Sequence, residues 1–223
     1  MRILLTGFDP FAGRGINPSW EAAQRLAGAA VGPARIDVLR VPVVWQESVA
    51  TIVRELEREP ATGMIIGGLS FGSGTINVEA IAHAIGDVPW QADNADRALS
   101  AERSDGDLNG PDALLATAPV RAIAAAINAA GIPARISWDG GAYVSNATLY
   151  GVLRYARDRG LDLPTTYLHV PATPEMTTGT TTSSLPLDLI VAALRIGCEV
   201  LATHQGPDAS LRRWPSAIPP LAR

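Results

Sequence analysis

Apolar positions along this chain fall into short unbroken runs that alternate with longer stretches of helical spacing. Residues 2–6 form an apolar run closed by Gly7 and predict a buried strand. Asn17 before Pro18 predicts a helix start, with Glu21 in the first turn where the helix dipole favours negative charge. Residues 35–43 predict a second strand. Val49, Ile52, Val53 and Leu56 place one apolar face on a helix over 46–57. Met64, Ile65 and Ile66 predict a third buried strand, which runs into a Gly-rich loop.

Residues 75–85 alternate with period two and predict a strand. Asn77, Glu79, Ile81 and His83 lie on one face, and Ile76, Val78, Ala80, Ala82 and Ala84 on the other. Residues 87–113 are polar and aperiodic, which predicts a long functional loop or flap. A helix over 119–129, a strand over 134–138, a turn at Asp139-Gly140-Gly141 and a helix from Ser145 to Gly160 follow. A strand over 165–170, a Thr/Ser-rich loop over 177–184 and a helix burying Leu187, Ile190, Val191, Leu194, Cys198 and Leu201 complete the pattern.

Strands alternating with helices predict one α/β domain, an α/β/α sandwich around a twisted, largely parallel (mixed) sheet, over 1–203. Residues 204–223, rich in Pro and Arg, form a tail. The 223 residues suffice for one sizeable core, and 47% hydrophobic against 18% charged residues marks a globular chain. A net charge of -4 without a basic run argues against nucleic acid as a partner. A single cysteine, Cys198, precludes an internal disulfide and fits a reducing compartment. No apolar stretch is long enough for a membrane span, so a cytoplasmic protein is expected.

Ligands of such sheets bind beyond the carboxyl ends of the strands. That selects Phe8 to Phe11, the loop over 69–74, the turn over 139–145 and the end of the 165–170 strand. Ser145 stands where a Gly-rich turn enters a helix, as a nucleophile served by free N–H groups or simply as an N-cap. His169, ending its strand, is a general-base candidate or a satisfied structural histidine. Glu79 could orient a histidine, or carry a solvated charge. Glu79 and His83 are too sparse for a metal site, and none is expected. All three phenylalanines, Phe8, Phe11 and Phe71, fall in predicted loops. They suggest walls for a small flat apolar ligand, or loop side chains folded over the core.

Taken in order, these segments resemble the pyroglutamyl-peptidase type I (pyrrolidone-carboxylate peptidase) family. The resemblance rests on Leu5-Thr6-Gly7-Phe8-Asp9-Pro10-Phe11, Asn17-Pro18-Ser19-Trp20-Glu21, Val41-Pro42-Val43, Gly110-Pro111 and Pro119-Val120. It continues through Gly131-Ile132-Pro133-Ala134, the stretch from Ser137 to Asn146, and Leu168-His169-Val170-Pro171 with Pro174-Glu175. It implies a Glu/Cys/His triad without a cofactor, with Glu79, Ser145 and His169 at the three positions. It also implies that Phe8 and Phe11 hold a pyroglutamyl ring, with Phe71, Tyr143 and Val144 as further candidate contacts. The implied substrate is a small molecule or peptide with a blocked N-terminal cyclic acyl group. The implied assembly is a homo-oligomer, a dimer or tetramer.

The departures are local. Serine replaces the family's cysteine at 145, and Ala80 stands where an arginine usually follows the glutamate. Asn77 and His83 replace a Ser/Thr and an Asn, the arginine before the Pro-Asp-Asn run has no clear match, and Trp138 replaces a smaller residue. A hydroxyl is a far weaker acid than a thiol and needs a placed base. Three readings follow: a pyroglutamyl hydrolase using Ser145 or a cysteine lost from that position; a hydrolase redirected to another amide, lactam or ester, motivated by Trp138 and Trp90; or a silent binding homologue.

Overall fold

A seven-stranded sheet carries helices on both faces in the computed structural model, which describes residues 1–107 and 109–204. In chain order the elements are β1 (Arg2–Phe8), α1 (Pro18–Arg25), β2 (Ala30–Val31), β3 (Ala34–Val41), α2 (Glu47–Arg58) and β4 (Gly63–Leu69). Then come β5 (Ile76–Glu79), β6 (Ile81–His83), β7 (Ile85–Gly86), β8 (Glu102–Arg103), β9 (Ala113–Leu115) and α3 (Val120–Ala129). The chain continues with β10 (Ala134–Ser137), α4 (Val144–Asp158), β11 (Thr165–Val170), α5 (Pro174–Thr177) and α6 (Leu187–Thr203). The tail expected from 204 onwards lies, beyond His204, outside the described residues.

The sheet order is β10-β5-β11-β4-β1-β3-β2. Strands β11, β4, β1 and β3 are parallel, whereas β5, β10 and β2 run the other way. β1, β4 and β11 are buried along their whole length, which explains their unbroken apolar runs. One core lies under α1, α3 and α6 and includes Ile65, Ile123, Leu168, Leu194 and Cys198. The other lies under α2 and α4 and includes Phe8, Ile52, Ile66, Tyr150 and Tyr167. The candidate site residues Phe8, Tyr143, Val144 and Tyr167 lie on this second face.

Helix α1 starts at the predicted cap: the Asn17 side chain accepts from the Ser19 N–H. The helix lies so close to β1 that a Cβ on Gly7 would stand 2.4 Å from the Trp20 Cα, which is why glycine ends that apolar run.

Two expectations need correction. The strand over 75–85 is three pieces. β5 joins the main sheet, while β6 pairs with β9 and β7 with β8 in separate ribbons. Ile81 and His83 therefore do not continue the face of Asn77 and Glu79, because the chain leaves the sheet at Ala80. The segment over 87–113 holds β8 and the start of β9, and side chains pin it down. Asp93 accepts from the backbone N–H groups of Trp45, Ala95 and Arg97. Arg103 and Arg154 both pair with Asp105, and Arg154 also pairs with Asp107.

Candidate active site

The antiparallel register of β5 and β11 sets Glu79 beside Tyr167 and Asn77 beside His169. Side chains of Tyr167, His169 and Glu79 consequently share one face. Glu79 Oε1 lies 2.8 Å from His169 Nδ1. Glu79 is 1% exposed and His169 7%. A buried carboxylate needs a partner, and the imidazole supplies it. The other carboxylate oxygen, Oε2, is buried with no hydrogen-bond partner among the described residues. An acceptor held this way fixes the imidazole orientation and can stabilise positive charge on the ring as its far nitrogen takes up a proton.

Ser145 enters from α4. That helix begins at Val144 with Tyr143 as N-cap, and no side chain caps it. The N-cap alternative for Ser145 is therefore overturned: the residue occupies the second helical position. The leading N–H groups of α4 are left without a side-chain acceptor, an arrangement that favours negative charge. The next residue anchors the helix start. Asn146 Oδ1 accepts from the His83 N–H at 3.0 Å, and its Nδ2 donates to the His83 carbonyl at 2.8 Å. Thr148 Oγ1 is 2.7 Å from Ser48 Oγ, which ties the first turn to α2.

β10 runs against β1, β4 and β11, yet its last residue, Ser137, pairs in register with Glu79. The loop over 138–143 leads from there into α4, and a Cβ on Gly140 would stand 3.8 Å from the Glu79 Cδ. Ser145 thus follows the carboxyl end of β10.

A cavity of about 30 Å³ lies in front of Ser145, lined by Phe8, Phe11, Asn17, Val43, Leu69, Tyr143, Val144 and Tyr167. Four of the five expected ligand contacts, Phe8, Phe11, Tyr143 and Val144, are thus brought together with the serine. Phe8 is the buried last residue of β1, not a loop residue as expected. Phe71 is not among the lining residues. It is 43% exposed, with the Arg14 guanidinium 4.4 Å from its ring centroid. Trp138 and Trp90 are exposed and do not line the cavity either. Phe11 and Tyr143 form a lip, their ring centroids 5.9 Å apart. Burial pushes the Tyr143 phenol up to about 12, so it stays a neutral donor, and its hydroxyl donates to the Ala92 carbonyl at 2.8 Å.

No hydrogen bond joins Ser145 to His169 among the described residues. Sequence reasoning missed the residue beside both, Tyr167, whose ring centroid is 4.4 Å from that of His169. The signal was available: Tyr167 precedes His169 by two positions on one strand and shares its face. Asn17, Val43 and Leu69 were also missed as lining residues. Among the described residues no group of His, Cys, Asp and Glu could hold a metal ion, and no helix is long and apolar enough to cross a membrane.

Residues 1–204 match the family model described as pyroglutamyl peptidase. The chain is 33% identical over 204 residues to a pyrrolidone-carboxylate peptidase of Bacillus velezensis, covering 92% of this chain and 94% of that protein. It is 35% identical over 203 residues to that of Chromobacterium violaceum, covering 91% and 93%. The crystal structure of pyroglutamyl peptidase I from Bacillus amyloliquefaciens superposes with a TM-score of 0.87 at 34% identity, covering 91% of this chain and 95% of that one. A mutant pyrrolidone carboxyl peptidase from the hyperthermophile Pyrococcus furiosus gives 0.85 at 29% identity, covering 91% and 98%.

Proposed function

The chain belongs to the pyroglutamyl peptidase family, and from that premise we propose that it hydrolyses the amide bond following an N-terminal pyroglutamyl residue, with Ser145 as nucleophile. The observation that carries this reading is the buried Glu79–His169 pair on the same face as a cavity that exposes Ser145 at an uncapped helix start.

The Ser145 hydroxyl oxygen attacks the acyl carbon while its proton passes to His169, and Glu79 stabilises the imidazolium that forms. Negative charge developing on the carbonyl oxygen is met by N–H groups at the start of α4. The imidazolium returns its proton to the departing amine, and water then releases the acyl group by the same route. Phe8, Phe11 and Tyr143 supply apolar walls for the ring. A cavity of about 30 Å³ admits one or two waters but not a five-membered lactam. Binding therefore requires Phe11 and Tyr143, which are only partly buried, to swing outward, and Ser145 and His169 to close into hydrogen-bond contact. The reading takes the form of a cytoplasmic homo-oligomer, a dimer or tetramer.

The test is release of a reporter amine from a pyroglutamyl amide by the unaltered chain, Ser145→Ala and Ser145→Cys. Turnover by the unaltered chain that disappears in Ser145→Ala supports the proposal. Turnover by Ser145→Cys alone makes the serine a disabling exchange on an otherwise intact site.

A second reading, a hydrolase redirected to another small amide, lactam or ester, draws on the tight cavity. Turnover of a different acyl reporter in preference to the pyroglutamyl one would select it.

A further inference from the structure

A cation stands at the lip of the cavity, and the proposed hydrolysis makes no use of it. Arg14 closes a turn that starts at Phe11. Its N–H donates to the Phe11 carbonyl at 3.1 Å, and Ala12 and Gly13 between them are left-handed, at φ 52 and 71. The turn folds the arginine back over the lip. Its guanidinium carbon lies 5.6 Å from the ring centroid of Phe11, which lines the cavity. It lies 4.4 Å from that of Phe71, on the loop over 70–74. One half-buried guanidinium thus bridges two loops at the mouth of the site.

Aromatic rings take up the faces of a guanidinium and leave its N–H donors free in the plane. Those donors form a fork that matches a carboxylate. Among the described residues no carboxylate pairs with Arg14. Asp9, the only one on the loop over 9–16, is paired with Arg40, and the loop over 70–74 carries no charged residue. The seat is built and its natural counter-charge is absent from both loops.

The substrate brings one to this place. A cavity of about 30 Å³ opens only to take the ring, so the chain beyond the scissile bond stays outside, at the lip. The carboxyl carbon of the next residue lies about 2.5 Å from the scissile nitrogen, and a side-chain carboxylate on that residue reaches further. When Phe11 swings outward, Phe71, the nearer ring, keeps Arg14 at the rim.

We propose that Arg14 is a specificity-determining residue of this site: it binds a carboxylate on the residue that follows the scissile bond, a free α-carboxylate or an acidic side chain. The proposal rests on the reading of the chain as a pyroglutamyl hydrolase. Arg14 touches no reacting atom and exchanges no proton. Its attraction for the substrate enters kcat/KM, as a preference between substrates that differ in charge.

Two substrate pairs test this, each matched in shape and different by one charge. They are pyroglutamyl-glutamate amide against pyroglutamyl-glutamine amide, and pyroglutamyl-alanine against its amide. The readout is the ratio of kcat/KM within each pair, followed by release of pyroglutamate, in whichever background, serine or Ser145→Cys, is active. Expected is a preference for the charged member of about fivefold in at least one pair, and that pair identifies the carboxylate. Arg14→Gln abolishes the preference, Arg14→Lys keeps part of it, and Phe71→Leu, which removes the nearer ring, weakens it. Added salt shrinks it in the unaltered chain. A merely structural arginine alters both members of a pair alike. Equal ratios in the unaltered and Arg14→Gln chains therefore overturn the proposal while the hydrolysis stands. If neither background turns over any of the four, the functional reading fails and the proposal falls with it.

Discussion

Replacing Gly68 by alanine puts a methyl group where the Tyr167 hydroxyl now lies. The new Cβ would stand 1.6 Å from Oη, 2.6 Å from Cζ and 3.0 Å from Cε1. Ordinary contact requires the hydroxyl to withdraw by roughly 2 Å. The ring cannot yield freely, because the His169 ring packs against it, tilted, at 4.4 Å between centroids, and the residue is almost fully buried. Overpacking of this kind costs about 1–3 kcal/mol, and the lower entropy of an unfolded alanine chain offsets about 0.4–1 of it. At about 2–4 °C per kcal/mol for a chain of this size, the melting temperature should fall by up to roughly 10 °C. Activity should fall further, since the ring can only leave by disturbing His169 or Ser145. Two comparisons anchor the number. Tyr167→Phe in the Gly68→Ala background removes the 1.6 Å contact but leaves the one at 2.6 Å, so it should restore part of the loss. Gly63→Ala meets the flexible tip of Ile3 at 3.2 Å and Leu201 at an ordinary 3.5 Å, and should melt within about 2 °C of the parent. Scanning calorimetry on the four proteins reads this out. A Gly68→Ala chain as stable and as active as the parent would refute the placement of Tyr167.

Glu79→Gln keeps an acceptor for His169 Nδ1 but removes the charge, and should lower kcat roughly a hundred- to ten-thousand-fold with little change in KM, measured on a pyroglutamyl reporter. Burial pushes the Cys198 thiol up to about 12, so iodoacetamide should leave both thiol and activity intact, and one thiol should titrate only after unfolding. At acid pH, burial raises Asp37 but its bonds to Arg2 and Arg35 outweigh that, and Arg58 and Arg2 lower Glu55 against its burial. Carboxyls lowered by folding contribute stability that is full above the ordinary range and lost as pH falls through the folded values. Stability should therefore decline below about pH 4, and Arg2→Met, which leaves both carboxylates short of a partner, should flatten that decline in a urea midpoint series. Arg154→Met frees Asp107 and leaves Asp105 to Arg103 alone, and should expose the segment over 102–112 to limited proteolysis, seen as new cleavage by mass spectrometry.

Much of the sheet was legible because β1, β4 and β11 are buried on both faces and so read as unbroken apolar runs. The helices were legible from period and cap, α1 at Asn17 most directly. The strand over 75–85 misled because period-two alternation describes side-chain facing without saying which sheet the backbone joins; nothing local marks the departure at Ala80. The site was legible in its parts, from a serine at a helix start, a histidine at a strand end and the phenylalanines before α1. Its assembly was not. Glu79 meets His169 only because β5 runs antiparallel to β11, and strand direction is a property of long-range pairing. Phe71 was chosen by residue type and loop position, but stacking on Arg14 takes it to the surface. Tyr167 went unnoticed because a tyrosine inside an apolar strand reads as core, and the space that Gly68 leaves for it is visible only in three dimensions.

The order of strands also constrains how the molecule is born. β11 lies between β4 and β5 in the sheet but follows both in the chain by many residues. Until residue 170 leaves the ribosome, the growing chain holds two partial sheets whose facing edges are apolar strands without a partner. Such edges invite pairing with other chains, and closing a gap of this sequence length is slow. The strand that brings His169 to Glu79 is also the one that seals this seam. A molecule in which His169 has met Glu79 has therefore closed its sheet, and a chain cut short before β11 would lack that pair and carry an exposed invitation to aggregate.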